Sequence, residues 1–390
     1  MTKPSILFIS PIMPLPQGLG LAMRAWLFLS ALAEDYHVRL LVIPVVPLVN
    51  VEAGWQALRQ LDVEAELVAN HSLKDARAAV AYTLDLVKGN SLAAIHVFRL
   101  YMLPFIREVF NLPSTQRPAI VLDMDDYESK THARLAEHAR FRHQIDPTLI
   151  QKARQFEKME DKYLIQCQRV YVCTAADRAE LAQRFHLDHF RAVPNAVNVP
   201  PFAAVEKSAT EFTLLFVGTL GYAPNEDAVL FFCHEVLPHI RAAADRPVRV
   251  IIVGANPGPQ VRALSGDHAI EVAGFVPDLC AYYQQAHVAI VPIRVGGGMR
   301  IKVLEAFSYR CPVVSTSIGA EGIDAYPEQH LLIADTAEDF VRQCARLLRD
   351  PMLAATLSQQ AYDRVTTHYR HEHVQQLIRR DYAQVLTSQP

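Results

Sequence analysis

Ser5 to Pro44 reads SILFISPIMPLPQGLGLAMRAWLFLSALAEDYHVRLLVIP. The opening SILFIS is short, apolar and β-branched, the composition of a parallel strand buried on both faces. Pro11 to Gly20 carries the prolines and glycines of a loop, whereas Leu21 to Glu34 runs through helix formers without a breaker. His37 to Pro44 is again apolar and β-branched. Strand, glycine-containing loop, helix and strand make one βαβ unit, and such units build parallel sheets covered by helices on both faces. The alternation continues, with strands expected at Ala93 to Phe98, Ala119 to Leu122 and Val170 to Cys173. Helical segments are expected around Leu73 to Val87, Leu103 to Phe110, Asp146 to Gln168 and Ala176 to Arg184.

The passage from Ala192 to Phe202, AVPNAVNVPPF, is rich in proline and stops any helix, so it reads as an interdomain linker. The pattern then restarts. Strands are expected at Phe212 to Val217, Val248 to Val253, Ala269 to Ala273, Val288 to Pro292 and Val313 to Thr316, the first three each followed by a glycine. Helices are expected at Asp227 to Ala242, Leu279 to Ala286, Ile301 to Tyr309, Ala337 to Leu348, Leu353 to His368 and Glu372 to Leu386. The expected organisation is an N-terminal domain over 1–198, a C-terminal domain over 199–368, and a last helix over 369–390 able to return to the first domain.

The 390 residues are 51% hydrophobic and 20% charged, with 24 Pro against 15 Gly, which excludes disordered and fibrous classes. Thirty-eight Lys and Arg against 41 Asp and Glu leave a formal charge of −3, so bulk electrostatics gives no reason to expect a nucleic-acid partner. None of the six cysteines forms a CxxC pair or stands at zinc spacing from histidines, and reduced thiols in a cytoplasmic protein are the reading. The start MTKPSILFISPIMPLP is broken by prolines and is not expected to be a signal peptide. No stretch has about 18 uninterrupted apolar residues, so no bilayer span is expected. Peripheral contact with the inner membrane face is left open.

Open α/β sheets bind ligands beyond the carboxyl ends of their strands, so the chemistry is sought there. The strongest signal is Val291-Pro292-Ile293-Arg294-Val295-Gly296-Gly297-Gly298-Met299-Arg300-Ile301-Lys302-Val303-Leu304-Glu305-Ala306-Phe307. Three glycines opening a helix expose backbone N–H groups, and Arg300 and Lys302 add positive charge in the first turn. That is an anion cradle suited to a diphosphate. Cations there oppose the helix dipole, and a bound anion explains them better than helix stability does. Glu305 lies deeper, where a carboxylate accepts from ribose hydroxyls. Gly218-Thr219-Leu220-Gly221 and Gly274-Phe275-Val276-Pro277-Asp278 follow two other strands of the same half. In the first half, Gly18 and Gly20 allow amides to approach an anion, though Met23 stands where a dinucleotide fingerprint needs its third glycine. Asp123, Asp125 and Asp126 place three carboxylates at a strand end, able to bind a metal, act as a base, orient an acceptor hydroxyl or cap the next helix. His96 and Arg99 bracket another strand end as minor candidates.

Val193-Pro194-Asn195-Ala196-Val197, Phe216-Val217-Gly218-Thr219, Gly274 to Asp278, Gly296 to Ala306 and Pro312-Val313-Val314-Ser315-Thr316, in this order and spacing, form a specific set. With them the chain resembles the family-4 glycosyltransferases of the GT-B fold across nearly its full length. It is most similar to the bacterial subgroup whose donor loop reads GGGxRxKxLEA and whose first domain carries a DxDD stretch. The resemblance implies an α/β fold of two Rossmann-like doubly wound domains facing across a cleft. It implies a nucleoside-diphosphate-sugar donor held by the second domain and a glycan, lipid-linked or small-molecule acceptor held by the first. It further implies transfer with retention of anomeric configuration, no cofactor beyond the donor substrate and no essential metal. On this resemblance Gly218 and Thr219 meet the phosphates, Phe275 and Val276 the base, the amides of Gly297, Gly298 and Met299 the sugar and diphosphate, and Glu305 the ribose.

The chain also departs from the family. Many members place two glutamates eight residues apart, and the earlier position here is Gly297, so a carboxylate contact to the donor sugar is missing. Members often carry Arg or Lys shortly after the first strand of the second domain, whereas this chain reads Gly221-Tyr222-Ala223-Pro224-Asn225-Glu226-Asp227. Arg300 and Lys302 are expected to replace that charge, and Asp125 or Asp126 to orient the acceptor. The rival readings are a sugar-nucleotide epimerase, which would need no acceptor, and a non-catalytic sugar-nucleotide-binding partner protein.

Overall fold

A computed structural model of the chain describes residues 3–46, 48, 50–68, 76–89, 91–141, 146–201 and 207–387. Leu73 at the start of one expected helix and Phe202 at the end of the proline-rich passage lie outside the described residues. The chain divides into two compact units, Met1–Asn195 with His371–Pro390, and Ala196–Arg370. Each is built on one parallel sheet.

The first unit contains β1 (Ser5–Ser10), β2 (His37–Val42), β3 (Val63–Leu67), β4 (Leu92–Phe98), β5 (Ala119–Asp125), β6 (Arg169–Val172) and β7 (Phe190–Ala192), in the order β3-β2-β1-β4-β5-β6-β7. Ile6, Leu7, Phe8 and Ile9 of β1 are all buried, as a central strand covered on both faces requires. The strand order reverses between β1 and β4, so the loops leaving these two strands flank the crevice of this sheet. β3 and β7 were not expected from the sequence. Both lie at sheet edges, and β3 reads VEAEL, with alternate polar residues where one face meets solvent. The segment expected as a helix from Leu103 to Phe110 is instead two 3₁₀ turns, Leu100–Ile106 and Val109–Asn111, with Pro104 inside the first. The His371–Thr387 helix packs on the Gly20–Asp35 helix. Arg379 grips both carboxylate oxygens of Asp35 at 2.7 and 2.6 Å, and Asp381 accepts from the Tyr171 hydroxyl at 2.8 Å.

The second unit contains β8 (Phe212–Val217), β9 (Val248–Val253), β10 (Ile270–Gly274), β11 (Val288–Val291), β12 (Val313–Ser315) and β13 (Leu332–Ile333), in the order β10-β9-β8-β11-β12-β13. The switch in strand order lies between β8 and β11, the strands that precede Gly218 and the glycine triplet. The helix expected over Asp227 to Ala242 is Ala223–Phe231 and Leu237–Ala243 joined by one π-helical turn, Phe232–Val236. Pro238, which has no N–H to continue an α-helical ladder, stands just beyond that turn.

Candidate functional site

In the second unit the loops after β8 and β11 adjoin because their parent strands are neighbours. Gly218 leaves room for the Lys302 amine: a Cβ there would lie 2.6 Å from Lys302 Nζ and would displace it. Gly298 holds φ +70, a left-handed conformation that turns the loop into the Ile301–Ser308 helix. No described residue accepts a hydrogen bond from the amides of Gly297, Gly298 or Met299. They stand beside the start of a helix whose own first N–H groups lack intrahelical partners, which is where an anion binds.

The two cations of this loop behave differently. Arg300 occupies the N-cap position and folds back, its Nη1 donating to the carbonyls of Gly297 and of Gly298, the latter at 3.1 Å. Its guanidinium therefore braces the glycine turn, and Nη2 is buried without a partner among the described residues. Lys302 reaches the β8 loop instead. Its Nζ donates to Asn225 Oδ1 at 2.6 Å and sits 4.3 Å from the centroid of the Phe216 ring. Burial, with a smaller contribution from the Arg300 charge, pushes the Lys302 amine down to about 7 from 10.5. Burial likewise pushes Glu305 up to about 7, against the pull of Lys302. The Glu305 carboxylate has no hydrogen-bond partner among the described residues, so it is available to accept from a ligand hydroxyl. Next to it, Tyr283 and Tyr309 stack with centroids 4.7 Å apart.

The other donor-side candidates follow the same edge of the sheet. Thr219 accepts from Asn225 Nδ2 at 2.9 Å through its carbonyl. Phe275, at the end of β10, is 54% exposed, an unusual position for a large apolar ring, and Val276 beside it is half-buried. Arg294, in the same loop as the triplet, is held by Asp227 through two bonds of 3.0 and 2.7 Å and supports the loop from behind.

In the first unit Gly18 is exposed with φ +106, and Gly20 opens the Gly20–Asp35 helix. The three aspartates are not a bare carboxylate cluster. Asp123 is fully buried and receives Arg24 Nε at 3.0 Å and Nη2 at 2.9 Å. Arg24 continues to the Val193 carbonyl at 2.7 Å and Asn195 Oδ1 at 3.1 Å. Asp125, at φ 60, pairs with Arg99 at 3.1 Å and faces Arg24 at 3.6 Å. Arg99, itself at φ 77, also binds Glu128, which burial pushes up to about 7. Asp126 accepts from the Thr131 hydroxyl at 2.8 Å. Among the described residues no group of three or more His, Cys, Asp or Glu side chains is arranged to hold a metal ion. His96 stacks on Phe8 at 4.5 Å and burial pushes it down to about 3, which makes it a neutral core residue.

Arg24, Asn225 and Glu128 were missed as site residues in the sequence. Arg24 had a readable signal, since a lone charge in the apolar run LAMRAWLFL needs a buried partner.

Residues 211–350 match the family model described as Glycosyl transferases group 1. No curated protein matches the sequence significantly. Among solved structures, sucrose-phosphate synthase from Thermosynechococcus elongatus is 18% identical, with TM-score 0.73 over 99% of this chain and 100% of that one. TarM is 11% identical, with TM-score 0.73 over 100% and 99%. Anabaena HepE in complex with UDP-glucose is 14% identical, with TM-score 0.68 over 97% and 99%. The family match thus lies in the second unit, and the solved structures show that the chain has the GT-B fold. No described helix is long and apolar enough to cross a membrane.

Proposed function

We propose that the protein transfers a sugar from a nucleoside-diphosphate-sugar donor to an acceptor hydroxyl with retention of anomeric configuration. The observation that carries this reading is the set of unpartnered amides at Gly297, Gly298 and Met299, adjoining the Lys302 amine and the open carboxylate of Glu305. The amides and Lys302 meet the diphosphate, Glu305 the ribose, and Phe275 with Val276 the base. As the sugar leaves, negative charge grows on the diphosphate, and donors fixed in place before reaction stabilise it without reorganising. This reading needs no essential metal. Arg300 contributes by holding the glycine turn in shape. In the first unit, Asp125, which Arg99 and Arg24 hold, or Asp126, which accepts from Thr131, orients the acceptor. Gly18 and Gly20 line the β1 loop of that unit as a further place for an anionic group. The structures of HepE with UDP-glucose and of TarM with UDP make UDP sugars the first donors to try.

A melting-temperature screen against UDP, GDP, dTDP and ADP sugars tests the donor site, since a ligand at about 100 times its Kd stabilises the folded state by about 2.7 kcal/mol. One family of sugars is expected to shift the transition, and NMR of the product's anomeric proton then reads retention. If none of the four families shifts the transition at millimolar concentration, the donor reading fails.

A further inference from the structure

Asn225 belongs to a stretch, Gly221 to Asp227, that lacks the cation often found there in the resembled family, and the structure gives this residue a definite task. It lies just inside the Ala223–Phe231 helix and is 8% exposed. Its backbone N–H donates to the Tyr222 carbonyl at 2.9 Å, its Nδ2 to the Thr219 carbonyl at 2.9 Å, and its Oδ1 accepts from Lys302 Nζ at 2.6 Å. The amide orientation follows from chemistry. Turned over, it would set NH₂ against an ammonium and a carbonyl against a carbonyl. The Lys302 amine lies between the Phe216 ring and Asn225, in the space that the absence of a Cβ at Gly218 leaves open. Its other N–H bonds have no acceptor among the described residues.

We infer that Asn225 is a positioning residue for the transfer: it ties the Lys302 amine to the Gly218–Thr219 turn through one hydrogen bond and leaves the remaining N–H bonds for the donor's diphosphate. The inference rests on the reading of this loop as the diphosphate site. An amide suits the task better than a carboxylate does. A carboxylate would form an ion pair with Lys302 and compete with the diphosphate, whereas the neutral amide holds the amine without neutralising it. The charged groups that act on Lys302 are Arg300 and Glu305, both from its own loop and helix. The groups contributed by β8 and by the Ala223–Phe231 helix, Phe216 and Asn225, are neutral.

The test uses the full-length protein and inorganic pyrophosphate, a probe that does not depend on base or sugar, with affinity measured by calorimetry from pH 6 to 9. Pyrophosphate's own titration is common to all variants and cancels in their ratios to wild type. In Asn225→Asp the alkaline loss of affinity is expected to move up by about one pH unit, because a carboxylate partner favours the charged amine, with affinity at pH 7 about tenfold weaker. In Asn225→Ala the amine loses an acceptor, and the alkaline loss moves to lower pH. Opposite displacements are the signature of positioning, since a role limited to supporting the loop lowers affinity without moving the limb in opposite senses. If wild type binds pyrophosphate and both folded variants keep its pH profile, the Asn225 inference is overturned while the site reading stands. If one variant fails to fold, the other decides by the direction of its shift. Wild type that fails to bind pyrophosphate at any pH overturns the diphosphate site itself, and the inference with it.

Discussion

Raising the pH above 7 is expected to remove the charge on which donor binding depends. Burial holds the Lys302 amine down at about 7. A bound diphosphate brings negative charge against the ammonium and raises its pKa, so binding draws in a proton wherever the free amine is neutral. With a free-state value of about 7, roughly half of the molecules carry the charge at pH 7 and about 1% at pH 9, so loss of this charge alone lowers affinity for UDP about 50-fold across that interval, and about 25-fold once the ionisation of Glu305 is included. That is close to about 1.4 kcal/mol per pH unit once the amine is mostly neutral. Glu305, which burial holds up at about 7, acts in the opposite sense, because it must be ionised to accept from the ribose. UDP affinity should therefore peak near pH 7 and fall on both sides. Calorimetry in buffers of different ionisation enthalpy reads the affinity and the proton uptake together. Lys302→Met, which keeps length without charge, should flatten the alkaline limb and weaken UDP at pH 7 by about 10- to 150-fold, the range for a hydrogen bond to a charged group. A wild-type affinity that stays level from pH 7 to 9, or the same fall in Lys302→Met, refutes the reasoning.

The same variant should melt several degrees higher than wild type without ligand. Between about pH 7 and 10.5 the unfolded chain holds a proton that folded Lys302 lacks, so burying the amine opposes folding until the pH passes 10.5. Scanning calorimetry at pH 7 checks the gain, and a lower melting temperature would contradict it. Glu305→Gln should abolish the acid limb for UDP and reduce its affinity, yet leave 2′,3′-dideoxy-UDP unaffected, since that ligand has no ribose hydroxyls to lose. Equal losses for both ligands would place Glu305 elsewhere. Phe275→Ala should weaken UDP about tenfold and leave pyrophosphate unchanged in paired titrations, as expected of a residue that contacts only the base. Asp123→Asn leaves buried Arg24 with Asp125 at 3.6 Å as its remaining anionic partner, and urea denaturation should show a loss of about 3 kcal/mol in the first unit.

The fold was legible where its signals are short-range. Continuous apolar runs such as SILFIS, separated by glycine turns and helix formers, encode central parallel strands and their crossovers within a few residues. The edge strands β3, β7 and β13 escaped because they are short or polar on one face, and their strand character comes from a neighbour's hydrogen bonds. The loop after β11 was legible for a similar reason: glycines, cations and Glu305 lie within one turn-and-helix segment, so local spacing alone sets them near one helix start.

Partners remote in sequence were not legible. Local composition determined that a glycine turn leads from a strand into a helix at Gly296 to Glu305 and that Asp123 to Asp126 ends a strand, because backbone turns and helix starts depend on adjacent residues. Tertiary structure alone decided that Arg300 folds onto the glycine carbonyls while Lys302 meets Asn225. It also decided that the aspartates are answered by Arg24 and Arg99. Strand order is what makes these meetings: β11 lies beside β8 and β5 beside β4, so side chains from distant segments converge at the sheet's carboxyl edge. Their charges and hydrogen bonds depend on desolvation that no single stretch of chain produces by itself.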